Sequence, residues 1–196
     1  MLPEWVIYIG TALSFIGGLS YVRLTLLGKV QPNRLSWLLL TIVPMIAFFA
    51  ALSEGVGKQV LLSFIVGFNP LMIFLASFVN KKAYWKLDRF DYYCGILAIV
   101  AIVVWFLSGS GTLAIVFSIL ADIAAATPTA RKAFKHPESE SHIVFLFGFV
   151  NAALVLLTID NWTFVTYAFP LYILVGTSIM ITIITMPRNK LKKLVT

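Results

Sequence analysis

Long apolar runs, broken by short polar or basic stretches, recur along the whole chain. Runs of about 17–23 residues suffice to cross ~30 Å of hydrocarbon as a helix. They fall near Trp5–Leu27, Leu35–Leu52, Val60–Asn80, Tyr92–Leu107, Thr112–Thr129, Ile143–Thr158 and Phe164–Met186. The pattern predicts an all-α integral membrane protein of seven transmembrane helices, with connections too short to hold a soluble domain. The first run follows Met1-Leu2-Pro3-Glu4 with no basic lead and no small-x-small cleavage pattern. It therefore reads as a retained span and not as a signal peptide.

Composition supports this reading. Of 196 residues, 60% are hydrophobic and 12% charged, and the mean hydropathy is +0.96. Soluble domains carry about 45–50% apolar and about 25% charged residues, so one water-exposed domain could not hide this much apolar surface. The 16 Phe, 7 Tyr and 5 Trp exclude a disordered chain. Cys94 is the single cysteine, which excludes an intrachain disulfide and a cysteine-based metal cluster.

Charge is an independent test of the helix number. With the N-terminus outside, the inner segments hold Arg23, Lys29 and Arg34, then Lys81, Lys82, Lys86 and Arg89, then Arg131, Lys132 and Lys135, then Arg188, Lys190, Lys192 and Lys193. Of the 15 basic residues only Lys58 falls outside. A wrong helix number would scramble this alternation, so the predicted topology is N-out and C-in. The net charge of +7 is then a property of topology, with anionic-lipid contact at the inner face, and no nucleic-acid partner is implied.

An internal repeat is legible. A constant shift lays Gln31-Pro32 on His136-Pro137 and Ser36 on Ser141, and Phe68-Asn69-Pro70-Leu71 is similar to Phe169-Pro170-Leu171 with one residue dropped. The plan is three helices, a linker helix and three helices. It divides the chain into a first bundle (1–80), a linker (81–110) and a second bundle with a basic inner tail (111–196). A single linker gives both bundles the same orientation, a parallel repeat about an axis along the membrane normal.

Over almost the whole chain this plan resembles the SWEET/PQ-loop superfamily of small-molecule membrane transporters. The best local piece is Thr127-Pro128-Thr129-Ala130-Arg131-Lys132, followed by His136-Pro137-Glu138-Ser139. It is similar to the family's inner end of a unit's first helix, where a Pro-Gln pair usually stands. Here Pro128-Thr129 stands in the second unit, and Arg23-Leu24 at the equivalent offset of the first. Vitamin-precursor carriers of the nicotinamide riboside type share the same plan. The resemblance implies alternating-access transport of a small neutral or weakly charged metabolite, a sugar or vitamin precursor. It also implies that Asn69, on the third helix of its unit, contacts the solute.

Residue chemistry nominates further positions. Asp122 lies about ten residues into the fifth run and is the single acid placed near mid-membrane. A carboxylate there costs at least ~2.5–3.5 kcal/mol on insertion scales. It must face a cavity, a partner or water, either as a substrate or proton-coupling group or as a packing residue tied to Ser118 and Thr127. Asn151 is a second buried amide, and Tyr172, two residues past Pro170, is placed to pair with a polar solute. Pro44, Pro70, Pro128 and Pro170 lie in or at the ends of runs two, three, five and seven and are candidate hinges. Trp5, Trp37, Trp85 and Trp162 read as interfacial anchors; Trp105 lies in the linker run, near its outer end. Arg23 reads as snorkelling toward the inner surface.

Other classes find little support. The last run has no Lys for a retinal Schiff base, and His136 and His142 show no metal-ligand spacing. Glu138 and Glu140 read as a solvated turn, Gly109-Ser110-Gly111 as an outer turn, and no phosphate cradle or nucleophile–base pair is present. No catalytic residue, metal or cofactor is expected, and the chain does not read as an enzyme. The partners are a small solute and the lipid bilayer, with a homo-oligomer left open. Short loops and no sorting tail suit the bacterial inner membrane as a multi-pass protein. A non-transporting receptor or sorting protein on the same scaffold, and a membrane-embedded subunit or enzyme, stay as alternatives.

Overall fold

The computed structural model describes residues 2–53, 58, 60–83, 85–107 and 111–186. Among them are α1 (Val6–Leu26), α2 (Arg34–Ser53), α3 (Val60–Ala76), α4 (Arg89–Leu107), α5 (Gly111–Lys135), α6 (His142–Leu156) and α7 (Phe164–Thr185). A 3-10 turn covers Pro137–Ser139, and no strand occurs among the described residues. The fold is all-α, and each predicted apolar run overlies one helix. The basic tail and the Gly109-Ser110 turn lie outside the described residues.

By length and apolarity, two helices can cross a membrane: α1, of mean hydropathy 1.3, and Thr166–Thr185 within α7, of 1.9. Arg34–Met45, Val60–Ala76 and His142–Leu156 are apolar but shorter. Where seven spans were expected there are seven α-helices among the described residues, of which two pass this test.

The largest departure from the predicted limits is α5, which runs through Pro128 to Lys135. An apolar run measures hydrophobic length and not helix length. Ala130, Arg131, Lys132 and Lys135 favour helix while ending the run. Helix starts are set by local chemistry. Asp88 caps α4 reciprocally: the Asp91 N–H donates to Asp88 Oδ1 at 3.1 Å, and the Asp88 N–H to Asp91 Oδ2 at 2.9 Å. Asn33 accepts from the Ser36 N–H at 3.2 Å before α2, and Thr163 and Thr166 form a capping box on α7.

Contacts at the helix ends fix direction. Asn80 Nδ2 donates to the Leu26 carbonyl at 2.8 Å, while Lys58 pairs with Glu4 at 3.4 Å, so α1 and α3 run the same way. The Leu2 N–H donates to the Leu157 carbonyl at 3.0 Å, while Tyr21 reaches Glu140, so α6 runs against α1. Lys132 bonds the Gln31 carbonyl, so α2 runs against α5. The segments following α1, α3 and α5 therefore gather at one end. That end holds the described lysines and arginines apart from Lys58, and is called the basic end below.

Packing has a repeating order. α3 packs on both α1 and α2, and α7 packs on both α5 and α6. Across the middle, α1 packs on α6 and α2 on α5, while α4 lies chiefly on α5. Exchanging α1 with α5, α2 with α6 and α3 with α7 maps the contacts within the two triplets, and the α1–α6 and α2–α5 pairs, onto one another; α4, which lies on α5 and α2, has no such counterpart. One apolar core, Tyr21, Val30, Trp37, Ile73 and Val144, lies at the basic end; another, Leu39, Ala98 and Ala125, joins α2, α4 and α5. Trp37 is 4% exposed and lies against Tyr21 with ring centroids 5.1 Å apart. It is a core residue and not the interfacial anchor expected, because the apolar face at the start of α2 turns toward α1. Trp5 and Trp162 are exposed at the opposite end.

Candidate functional site

Asn69 is buried in the middle of α3, directly before Pro70. Its Nδ2 donates to the Ser14 carbonyl at 2.9 Å and lies 3.3 Å from Ser14 Oγ. Its Oδ1 has no hydrogen-bond partner among the described residues. The amide fits because α1 offers Gly18 there: a Cβ on Gly18 would stand 2.2 Å from Asn69 Oδ1.

Asn151 meets α1 on a neighbouring face in a similar way. It is 1% exposed, and both its Oδ1 and Nδ2 lack a partner among the described residues. A Cβ on Gly10 would stand 2.4 Å from its Oδ1. Gly10 and Gly18 are roughly 12 Å apart along the axis of α1, at 1.5 Å per residue. The two amides thus meet one helix at two depths, one carried by α3 and the other by α6. Thr11 Oγ1, beside Gly10, is a further buried hydroxyl without a partner among the described residues.

Asp122 occupies a different seam. It lies on α5, is 1% exposed, and its Oδ1 has no partner among the described residues. Thr127, offered by the sequence as its neighbour, bonds the Ile123 carbonyl at 2.6 Å instead, the usual route for a helical Thr. The residue within electrostatic reach of Asp122 is Tyr172 of α7. The structure therefore groups the four positions as Asn69 and Asn151 on α1, and Asp122 with Tyr172 between α5 and α7.

All four prolines are buried inside helices: Pro44 in α2, Pro70 in α3, Pro128 in α5 and Pro170 in α7. Each leaves the carbonyl four residues earlier without its helical donor, and Pro70 does so one residue from Asn69.

The basic end holds chemistry that the sequence pattern concealed. Glu138 is exposed, but Glu140 in the same turn is 5% exposed. Glu140 is no part of a solvated face: it accepts from the Tyr21 hydroxyl at 2.5 Å and pairs with Lys132, itself 2% exposed. Burial of an ion pair is tolerated where each charge keeps further hydrogen bonds, and Lys132 also donates to the Gln31 carbonyl. The available signal was Lys132 and Glu140, opposite charges on either side of a Pro-led turn. Nearby, Trp85 and His136 pack with ring centroids 5.5 Å apart and line a cleft of about 370 Å³ with Lys29, Gln31, Glu138 and Ser139. Outside this cluster Arg131 pairs with Asp88 at 2.7 Å in the open. The Asp91 N–H, and after it Arg131, hold the Asp88 carboxyl below its ordinary range.

No protein-family model matches the chain, and no curated protein or solved structure matches it.

Proposed function

We propose that the protein is a seven-span membrane transporter, N-out and C-in, built from two parallel three-helix bundles joined by α4. It moves a small neutral or weakly charged metabolite by alternating access. The observation that carries this reading is the set of buried polar atoms at mid-helix without partners among the described residues: Asn69 Oδ1, both polar atoms of Asn151, and Asp122 Oδ1. Buried polar groups are ordinarily hydrogen-bonded, and in an apolar bundle such groups are expensive and mark solute paths. A polar solute supplies the donors and acceptors that these atoms lack.

Three features support the frame. The contacts within each triplet, and the α1–α6 and α2–α5 pairs, map onto one another when the two triplets are exchanged. Apolar side chains cover the outer surface of α1 and α4, among them Ile9, Ile16, Leu97, Val100 and Phe106, as a lipid-facing helix requires. The basic residues gather at one end, matching the positive-inside rule; the cell membrane, and a bacterial inner membrane in particular, is the corresponding location. Pro44, Pro70, Pro128 and Pro170 supply hinges in both triplets, and Asp122 offers a titrating group for proton coupling.

Solute counterflow in proteoliposomes tests the proposal, with labelled sugars, nucleosides and vitamin precursors and wild type beside Asn69→Ala. Accelerated exchange of one class, lost in the folded variant, is the expected result. Saturable binding without exchange would replace it with a receptor on the same scaffold.

A further inference from the structure

The buried cluster at the basic end joins elements from both triplets. Tyr21 comes from α1, Gln31 from the segment before α2, Lys132 from α5, and Glu140 from the turn before α6. The Lys132 and Glu140 side chains are 1% and 0% exposed. The Gln31 N–H donates to the Ser139 carbonyl at 2.9 Å, closing the same seam through the backbone. Lys132 Nζ further stands 5.5 Å from the centre of the Trp85 ring, a cation–π contact from the segment before α4.

The surroundings are unlike those of a permanent staple. Asn33 Nδ2 just before α2, Ser36 Oγ on α2 and Thr129 Oγ1 on α5 are buried and have no partner among the described residues. Shutting the seam strips these groups of water and returns no hydrogen bond, so closure is opposed locally. The hydrogen-bonded charge cluster works against that penalty. Pro128, one turn before Lys132, removes a backbone bond where the last turns of α5 must swing.

We infer that Tyr21, Lys132 and Glu140 form a latch that closes the basic end, and that its release opens the seam between α2 and α5 to water. The latch rests on the transport reading for its purpose, as the gate on the basic side of the solute path. Its geometry stands apart from that reading and can be tested without any flux.

The test uses the full chain in a Cys94→Ala background with a single reporter, Thr129→Cys, which is nearly isosteric and 4% exposed at the seam. A second chain carries Met180→Cys, 7% exposed on α7, as the control. A water-soluble maleimide labels each in inside-out vesicles. With the latch intact, Thr129→Cys reacts slowly. Adding Tyr21→Phe or Glu140→Gln raises its rate at least tenfold while Met180→Cys keeps its rate. An unchanged rate at Thr129→Cys overturns the latch. Equal acceleration at both reporters also overturns it, because the cluster is then a fold staple. Counterflow on the same preparations separates the two ideas: gated labelling without exchange removes the transport reading and keeps the latch, and exchange with ungated labelling does the reverse.

Discussion

The Tyr21 hydroxyl donates to the Glu140 carboxylate at 2.5 Å, joining positions 119 residues apart. Tyr21→Phe keeps the ring against Trp37 and removes the hydroxyl that donates to Glu140. A hydrogen bond to a charged group contributes about 1.5–3 kcal/mol, and the variant should melt earlier by the corresponding amount. An unchanged melting temperature in detergent would show that the bond contributes nothing to the fold.

Removing one partner of the Lys132–Glu140 pair should harm the protein more than removing both. Lys132→Met leaves a buried carboxylate held by Tyr21 alone, at a cost of about 3–5 kcal/mol. Lys132→Met combined with Glu140→Leu leaves no orphaned charge and should be more stable than the single variant. Thermal unfolding of the set checks this, and simple additivity would contradict it.

Gly18 and Gly176 should respond oppositely to alanine. At Gly18 the new methyl meets Asn69 Oδ1 at 2.2 Å, so the amide must leave Ser14, at a cost of about 1–3 kcal/mol. At Gly176 the nearest atom, on Tyr172, is 4.0 Å away. Alanine there gains about 0.5–1 kcal/mol from helix propensity. Melting curves of Gly18→Ala, Gly18→Ala with Asn69→Ala, and Gly176→Ala resolve the three cases, and the second should recover part of the first loss.

These contrasts also mark where sequence reasoning stopped. Apolar runs located each α-helix among the described residues, because hydrophobic length along a chain is a local property. Asn69, Asn151 and Asp122 stood out because polar side chains inside such runs are conspicuous. Glu140 did not, since it shares a polar turn with the exposed Glu138 and only tertiary packing separates them. Trp37 was misread for the same reason: a Trp at a helix end looks identical whether it faces lipid headgroups or another helix. That Asn69 and Asn151 approach one helix at two depths, with Asp122 in another seam, depends on helix order, which no local pattern encodes.

Asp88 gives a pH test. Its folded carboxyl is held below the ordinary value by the Asp91 N–H first and by Arg131 after it. The stabilisation is therefore complete above the unfolded value of about 3.9 and is lost as pH falls through the folded value. Both partners are open to solvent, so the effect is small and weakened by salt. Melting temperatures at pH 6 and pH 3 should differ less in Asp88→Asn than in wild type, and an identical pH difference would remove the proposed cap.

The order in which helices touch has a consequence for synthesis. Because α3 packs on both α1 and α2, the first two helices to leave the ribosome share little beyond the Tyr21–Trp37 contact until the third is made. The side of α1 carrying Gly10 waits longer still, since its cover is α6 and arrives only when most of the chain exists. A nascent chain halted after α5 would expose that glycine face to quality-control proteases and insertion chaperones. Early stop mutations should therefore be cleared as unassembled fragments, with no half-protein persisting.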